Sequence, residues 1–409
     1  MTSLIGRVVE QLMKHRSKLP GWVDRLMISV ARNPDGPLGK LAGRMLRGED
    51  PPATSVPDAT LRLYVAPTNY SGQGYLWARA VELADQRVGA RNMAVELPGG
   101  YGFNADSAVP IATVNSSDAW ANAEFAAVSQ FTHVLVEAER SMFGLRFGRQ
   151  LRTEISELQR HGVSVAFIAH GTDIRDPRAH AARTTWSPYP EDPRTATLQS
   201  DAEANLELLT EAQLPTFVST PDLLDDVPWA TWCPVIADIA RFTTDAPLSL
   251  SRGPARVPRI IHASSNAAQK GSDLLEPALA PLIASGEVSF ELVTGAAAAD
   301  MPGVYADADV VLDQFRLGSY GVAACEAMAA GRLVIGHVLP SVRERIREIT
   351  GLELPILEAT PETLATVVRD VLAEPARFET LAASGPEYVQ TVHDGTASAR
   401  ALLDGWMLR

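Results

Sequence analysis

The segment DQFRLGSYGVAACEAMAAGRLVIG at residues 313–336 has the most informative pattern of apolar and small residues in the sequence. It follows a short apolar run, VVL at 310–312, and passes through the glycine-containing turn GSYG at 318–321. Small residues with helical character then fill 322–330, and a second apolar run, RLVIGHV, occupies 332–338. A strand, a turn, a helix and a further strand predict one βαβ unit of a parallel sheet.

The same alternation of strands and helices extends outward from this segment. Toward the amino terminus, apolar runs of core-strand length occur at 61–66, 93–97, 133–138, 163–170, 216–220 and 230–238. In the carboxy-terminal part they occur at 259–264, 288–294, 310–312 and 332–338. Because helical stretches separate these runs, the sequence predicts an α/β fold with parallel sheets.

The chain has 409 residues, which favours two domains over a single core. Residues 243–258 carry three prolines and few large apolar residues, which predicts a surface linker that acts as a hinge. We predict two Rossmann-like domains facing each other across a cleft, with ligands at the carboxyl ends of the strands. The predicted divisions are a helical extension at 1–57, a first domain at 58–242, the linker, a second domain at 259–385, and a C-terminal helix at 386–409 that contains Trp406 and crosses back to the first domain.

Charge and cysteine content exclude several classes of function. The formal net charge is −13 without a basic stripe, so nucleic acid is not an expected partner. Cys233 and Cys325 have no companion residues at metal-ligand spacing, so we expect neither a disulfide nor a metal site, and predict a cytoplasmic protein. No apolar run approaches the about 20 residues of a membrane-spanning helix.

The first 50 residues differ in charge from the rest, with nine Lys or Arg against five Asp or Glu. Leu4, Val8 and Leu12 fall on one helical stripe, so this segment is compatible with peripheral contact to an anionic membrane surface at the inner face. The favoured interpretation is a helical extension packed on the first domain. The sequence also leaves a homo-oligomer open.

The turn before residue 322 is the first candidate binding element. Small residues where a strand turns into a helix let backbone N–H groups approach an anion closely, and the helix N-terminus then faces that anion. The four residues of this predicted nest are Gly318, Ser319, Tyr320 and Gly321. Glu326 lies about one and a half turns into the helix, where its carboxylate can accept hydrogen bonds from ribose hydroxyls. The alternative is a tight turn without a ligand.

Two further loops have the composition of anion sites. In ASSNAAQKGSD at 263–273, Lys270 precedes Gly271 beyond the end of a predicted strand, where a cation would neutralise phosphate charge. In PTNYSGQGYL at 67–76, Gly72, Gln73 and Gly74 open a helix and allow close backbone approach to a phosphate or sugar.

Polar residues also cluster directly after the apolar strand at 163–169. His170, Asp173 and Arg175 lie in the sequence HGTDIRDP, at a strand end where ligands of such folds gather. We interpret His170 as a functional residue because it begins a loop on the ligand side of the sheet. Asp173 has the alternative role of capping the following turn.

Taken together, these motifs resemble the retaining GT-B glycosyltransferases of family four, also called glycosyl transferases group 1. The similarity covers about residues 62–385 and is strongest at 304–336, with further matches in IIHASSNAAQKGSDLL, HGTDIR, STPDLL and PVIADIARF. The resemblance implies transfer of a sugar from a nucleotide-sugar donor to an acceptor, with retention of configuration and without a metal or other cofactor. Family frequency favours a UDP-sugar over a GDP-sugar.

The resemblance also implies roles for individual residues. Lys270 would contact the donor diphosphate, Glu326 the ribose, and His170 would lie beside the reacting sugar. Arg316, with Asp173 and Arg175, would contact the sugar or the acceptor. The complete predicted donor-binding set is Gly72, Gln73, Gly74, Ser265, Asn266, Lys270, Gly271, Gly318, Ser319, Tyr320, Gly321 and Glu326.

Two positions depart from the family's pattern. Gly318 stands eight residues before Glu326, where the family often has a second glutamate, and Ser265 stands five residues before Lys270, where it often has an arginine that Arg316 would replace. These departures leave open a non-catalytic binding or scaffold subunit, and a sugar-nucleotide epimerase of similar two-domain shape is a second alternative. The acceptor is not specified by the sequence, and we expect it to contact loops predicted at 98–118 and 176–200.

Overall fold

The computed structural model of the protein describes residues 48–97, 100, 102–251, 256–264 and 267–409. By its internal contacts the chain divides into two compact units, Met1–Ile168 and Ala169–Arg409. The predicted amphipathic stripe of the first 50 residues lies almost wholly outside the described residues, and so do Ser265 and Asn266.

Seven strands form the first sheet, in the order β3-β2-β1-β4-β5-β6-β7. They are β1 (Leu61–Ala66), β2 (Val88–Glu96), β3 (Ser107–Pro110), β4 (His133–Glu137), β5 (Ser164–Ala169), β6 (Thr216–Val218) and β7 (Thr231–Trp232). The helices in this part of the chain are α1 (Gln73–Ala84), α2 (Ile111–Ser116), α3 (Asp118–Val128), α4 (Leu151–Arg160), α5 (Pro177–Arg183), α6 (Thr195–Ala212) and α7 (Ile239–Phe242). The strands pair in parallel, as the alternation predicts.

Five parallel strands form the second sheet, in the order β12-β11-β10-β8-β9. They are β8 (Arg259–Ala263), β9 (Ser289–Val293), β10 (Val310–Leu312), β11 (Leu333–Gly336) and β12 (Ile356–Glu358). The accompanying helices are α8 (Ala267–Lys270), α9 (Ser272–Ala284), α10 (Met301–Ala306), α11 (Val322–Ala329), α12 (Pro340–Thr350), α13 (Leu364–Ala373), α14 (Pro375–Ala383), α15 (Gly385–Val392) and α16 (Thr396–Leu402).

The prediction of an α/β fold with two parallel sheets is confirmed. Several local predictions are wrong. The region 98–118, predicted as a loop, contains β3 and α2, and the region 176–200 contains α5 and the start of α6. The sequence analysis also does not locate strand β12 or helix α12; only one residue of β12 and only Val342 and Ile346 of α12 are buried, so neither element has an apolar run.

The segment 313–336 folds as its pattern predicts because small side chains allow close packing. Strand β10 lies in the middle of the second sheet, and all three of its residues are buried. Helix α11 buries Ala324, Cys325, Ala327 and Met328. Gly385 opens α15 so close to α11 that an added Cβ would lie 3.0 Å from the carbonyl oxygen of Met328.

The predicted linker 243–258 is partly packed, where the sequence predicts exposed surface. Leu250 is fully buried in the core of the second sheet, with Leu248 packed against it. The Leu250 amide donates to Glu379 Oε1 at 3.0 Å, and Arg256 pairs with the buried Asp309 at 2.7 Å. These contacts fasten much of the segment to the second sheet.

The C-terminal helices contact the chain that follows β7. Ser398 Oγ donates to the Pro234 carbonyl at 2.8 Å, and His393 Nδ1 contacts the Val235 carbonyl at 2.7 Å. Trp406 is buried in the final turn of the chain. Helices α15 and α16 are therefore anchored to residues 234–235 through buried polar contacts.

Among the described residues, no helix combines the length and the apolar character that crossing a membrane requires.

Candidate functional site

The carboxyl ends of β8 and β10 lie side by side in the second sheet. His262 pairs in register with Leu312, so the segments that follow these two strands leave the sheet at the same edge. The His262 ring also links them, because its Nδ1 donates to the Leu312 carbonyl at 2.8 Å and its Nε2 accepts from Ser272 Oγ at 2.7 Å. Burial lowers the pKa of His262 to about 4, so the ring is neutral and holds both bonds at pH 7.

Lys270 and the start of α11 meet at this edge on the carboxylate of Asp313. Lys270 Nζ lies 3.3 Å from Asp313 Oδ1, and the Gly321 amide donates to Asp313 Oδ2 at 3.3 Å. The Lys270 side chain keeps 20% of its surface exposed, whereas Asp313 keeps 2%. The predicted cation and one predicted amide donor are therefore brought together, with an internal carboxylate between them.

Glu326 lies near this pair. Burial raises its pKa to about 7, against the opposing effects of a hydrogen bond from Tyr305 and the charges of Arg241 and Lys270. The Tyr305 hydroxyl is itself buried, and burial together with the nearby Glu326 raises its pKa well above the usual value. Glu326 is thus a partly exposed carboxyl group that accepts a hydrogen bond from Tyr305 and interacts electrostatically with Lys270.

The turn at 318–321 is held by the side chain of Tyr320. Ser319 and Tyr320 are both buried. The Tyr320 hydroxyl donates to His393 Nε2 at 3.0 Å and lies 3.1 Å from the Tyr388 hydroxyl. Since burial lowers the pKa of His393 to about 4, its Nε2 is an acceptor at pH 7. The Tyr320 side chain therefore anchors the turn.

A histidine outside the predicted site also holds this turn. His180 Nε2 donates to the Leu317 carbonyl at 3.1 Å, and its Nδ1 accepts from Ser187 Oγ at 2.8 Å. Burial lowers the pKa of His180 to about 4, which keeps the ring neutral. The ring packs edge-on against Tyr189 with centroids 5.3 Å apart.

Arg316, which would replace the arginine that is missing at position 265, forms ion pairs with two carboxylates. Its guanidinium pairs with Glu191 at 3.1 Å and with Asp273 at 3.2 Å. Only 10% of its side chain is exposed. In this arrangement Arg316 connects the loop after β10 to the start of α9 and to the segment after α5.

The three residues after β5 have different environments. The Asp173 carboxylate accepts the amides of His170 and Gly171, which precede it in the chain, rather than amides of the turn that follows. His170 is half-buried. Arg175 is buried and pairs with Asp222 at 2.6 Å. The guanidinium of Arg175 therefore forms a buried ion pair with another side chain of the protein.

The Arg175–Asp222 pair reaches the turn at 318–321. Burial alone would raise the pKa of Asp222, but the Arg175 guanidinium and the nearby hydroxyls of Ser319 and Thr220 hold it below its usual range. Burial alone would lower the pKa of Arg175, yet the charge of Asp222 raises it. A buried charge pair thus connects the β5 loop to the second-sheet turn.

The loop 67–74 of the first unit also surrounds a carboxylate. Glu137, fully buried at the end of β4, accepts the amides of Thr68 at 3.0 Å and Asn69 at 2.9 Å through Oε2. A Cβ at Gly74 would lie 2.9 Å from Glu137 Oε1 and 2.6 Å from Asn92 Nδ2. Gly74 is therefore required for the start of α1 to approach Glu137, and Gln73 beside it is buried.

Sequence reasoning missed several residues that organise these loops, namely Asp313, Glu137, Asp222, His180 and Tyr305. Asp313 had a usable signal, because it directly follows an apolar strand, as His170 does. His180 and Asp222 carry no local signal, since their partners are 137 and 47 residues away in sequence.

Among the described residues, no group of three or more His, Cys, Asp or Glu side chains has an arrangement that could hold a metal ion.

No protein-family profile matches the chain, and no curated protein is similar to it in sequence. Solved structures are similar to it in fold. A sucrose-phosphate synthase from Thermosynechococcus elongatus aligns over 83% of this chain and 96% of its own, with a TM-score of 0.50 and 14% identity. HepE from Anabaena, solved in complex with UDP and glucose, aligns over 83% and 98%, with a TM-score of 0.50 and 11% identity.

A glycosyltransferase from Rickettsia africae aligns over 86% of this chain and 100% of its own, with a TM-score of 0.50 and 12% identity. Identities this low establish a shared architecture. The chain has the α/β fold, with two parallel sheets, that GT-B glycosyltransferases have.

Proposed function

We propose that this protein is a glycosyltransferase that moves a sugar from a nucleotide-sugar donor to an acceptor hydroxyl. The observation that carries the proposal is the meeting of Lys270, the start of α11 and Glu326 at one edge of the second sheet. A lysine and a helix N-terminus bind phosphate oxygens, and a partly exposed carboxylate binds vicinal hydroxyls. A diphosphate and a ribose together define a nucleotide-sugar donor.

A UDP-sugar is the donor we propose. HepE, which shares the fold, has been solved in complex with UDP-glucose. The resemblance to family four also favours UDP over GDP. The identity of the sugar stays open, because Gly318 stands where that family often has a glutamate.

In the proposed reaction, the bond between the anomeric carbon and the donor phosphate oxygen breaks while the acceptor oxygen bonds to the same carbon. The acceptor proton passes to the departing diphosphate. Lys270 and the N-terminus of α11 would stabilise the negative charge that develops on this leaving group. We propose attack from the face that the diphosphate leaves, which retains the configuration, and we propose no metal ion, because protein groups would supply the charge.

The remaining assignments belong to the same proposal. His170 would lie beside the reacting sugar, and the Gly72–Gly74 loop would contact the donor phosphates. A cytoplasmic location is proposed because Cys233 and Cys325 are both buried free thiols.

Binding of UDP and GDP, measured by calorimetry, tests the donor site. We expect UDP to bind, and Lys270→Ala to weaken binding on the order of tenfold or more by removing a charge-assisted contact. Arg259→Ala is the matched control, since it also removes one positive charge from the second unit but at the opposite end of β8, where Arg259 pairs with Glu291 at 2.6 Å. Equal affinity of Lys270→Ala and the parental protein would mean that the diphosphate does not bind here.

Turnover distinguishes the candidate activities. UDP-sugars are incubated with and without a panel of sugar, lipid and small-molecule acceptors, and released UDP and glycosylated product are measured. Product formation that requires acceptor and fails in Lys270→Ala supports transfer. An epimerised donor formed without acceptor would identify an epimerase, and UDP binding without turnover would identify a binding subunit.

A further inference from the structure

Asp313 makes two contacts that a donor diphosphate would also need. Its Oδ1 lies 3.3 Å from Lys270 Nζ, and its Oδ2 accepts the Gly321 amide at 3.3 Å. We propose that Asp313 is an internal counter-ion that competes with the diphosphate for Lys270 and Gly321, and so weakens the retention of a nucleoside diphosphate. This inference rests on the proposed function, which it extends to the release of the product.

The position of Asp313 is fixed by the sheet. Its amide donates to the Ile335 carbonyl of β11 at 3.0 Å, directly after β10 ends. Only 2% of its side chain is exposed. The carboxylate therefore has little freedom to move away when a ligand arrives, and its negative charge stays beside the anion.

Lys270 is the mobile partner of this pair. Its side chain is 20% exposed, and an ammonium has three donors, so Lys270 can turn toward a ligand while remaining close to Asp313. The Gly321 amide has one donor, which Asp313 already uses. A diphosphate must therefore share the lysine and displace or share the amide, next to a charge of the same sign.

The expected consequence is weaker binding of the diphosphate anion than Lys270 and the helix N-terminus would otherwise give. Like charges a few ångströms apart in a partly buried site repel strongly enough to change an affinity on the order of tenfold. For an enzyme that must release a nucleoside diphosphate after each turnover, weaker product binding speeds the cycle. Asp313 would then set the balance between gripping the donor and releasing the product.

The test is calorimetric binding of inorganic pyrophosphate and of UDP to the full chain and four variants. Asp313→Asn keeps the shape of the side chain and removes its charge, and Asp313→Ser is a second, smaller replacement. Lys270→Met and the double variant Lys270→Met with Asp313→Asn show whether the effect passes through the lysine. A fifth variant, Asp307→Asn, is the matched control, because it removes one negative charge from an exposed side chain before β10. Circular dichroism and thermal melting check that each variant is folded.

We expect Asp313→Asn and Asp313→Ser to bind both probes more tightly, on the order of tenfold, and Asp307→Asn to match the parental protein. In the Lys270→Met background the part of the gain that depends on the lysine should disappear, and the part that comes from the Gly321 amide and from charge repulsion should remain. If the parental protein binds UDP but neither Asp313 variant binds it more tightly, the inference is wrong and the proposed function stands. If the variants bind pyrophosphate more tightly through Lys270 while UDP binds no better than pyrophosphate, Asp313 is a counter-ion but the nucleotide function is wrong. Absence of binding to every variant overturns both.

Discussion

Gly318 and Leu339 are packed so closely that a Cβ added at Gly318 would lie 2.6 Å from Leu339 Cγ. The Leu339 amide also donates to the Gly318 carbonyl at 2.9 Å, which fixes the two backbones together. Gly318 has a φ of 68°, in the left-handed region that favours glycine. Glycosyltransferases of family four, which the sequence resembles, often have a glutamate at this position. A glutamate side chain does not fit this turn, so local packing explains the glycine at 318.

Gly318→Ala should lower the free energy of unfolding by about 2–4 kcal/mol, from the left-handed backbone and the clash with Leu339 together. Gly331→Ala isolates the backbone part, because Gly331 has a φ of 66° and no atom within 4 Å of an added Cβ. Leu339→Ala should recover part of the loss in a double variant with Gly318→Ala. Urea denaturation measures all four proteins, and equal losses for Gly318→Ala and Gly331→Ala would show that Leu339 does not constrain the turn.

Arg175→Ala should be strongly destabilising, by about 3–5 kcal/mol, because it leaves Asp222 buried without its partner. Arg175→Met combined with Asp222→Leu should cost less than Arg175→Ala alone, since no buried charge remains. Denaturation of the single and double variants measures the coupling. A stable Arg175→Ala protein that has lost only sugar transfer would instead favour the predicted contact with the sugar or acceptor.

His180→Leu should lower stability by about 1–3 kcal/mol at pH 7.5, since it leaves the Leu317 carbonyl and the Ser187 hydroxyl without their partner. The neutral ring has a pKa of about 4, below its usual value, so its stabilising effect is complete above about pH 6.5 and is lost as the pH falls through 4. The difference between the parental protein and the variant should therefore narrow between pH 7.5 and pH 4.5 in urea denaturation. A constant difference would mean that the ring is not held neutral.

His180→Leu also tests whether His180 holds the turn at 318–321 in the position that donor binding needs. Because Leu317 directly precedes Gly318, loss of the His180 contact should also weaken UDP binding a fewfold. His161→Leu is the control: His161 caps α4 in the first unit, so it should leave UDP affinity unchanged.

The periodicity of the sequence predicts two parallel sheets and the strands that are buried apolar runs, but not β3 and β12, each of which has a single buried residue. It also singles out Lys270, Gly321 and Glu326, which lie in the segments that follow β8 and β10. What a single sequence does not reveal is the partner of each group. Asp313 pairs with Lys270 and accepts the Gly321 amide, and the contact with Lys270 depends on the register of β8 beside β10.

The carboxylates at the strand ends illustrate this limit. Glu137 at the end of β4 and Asp313 after β10 accept amides of a different loop, and Asp173 after β5 accepts amides of its own loop. From the sequence, two of these loops were predicted to bind phosphate and the third to flank the reacting sugar. In the fold each of these loops donates at least one amide to an internal carboxylate, because orphan backbone donors at buried strand ends require an acceptor. Whether a loop amide is free for a ligand is therefore a tertiary property.

Glu326 provides the remaining prediction, which depends on pH. Burial raises its pKa to about 7, above its unfolded value, so its contribution to stability is complete below about pH 4.5 and is lost as the pH rises through 7. Glu326→Gln removes this cost of ionisation and keeps an oxygen acceptor for Tyr305. Relative to the parental protein, the free energy of unfolding of the variant should rise by about 1–2 kcal/mol between pH 5 and pH 8, an estimate reduced for partial exposure.

Glu154, whose pKa burial also raises to about 7, titrates in both proteins, so its contribution cancels when the two are compared. Glu276→Gln, an exposed change on α9, is the control and should show a difference from the parental protein that does not depend on pH. If Glu326→Gln behaves like Glu276→Gln, Glu326 is ionised throughout this range.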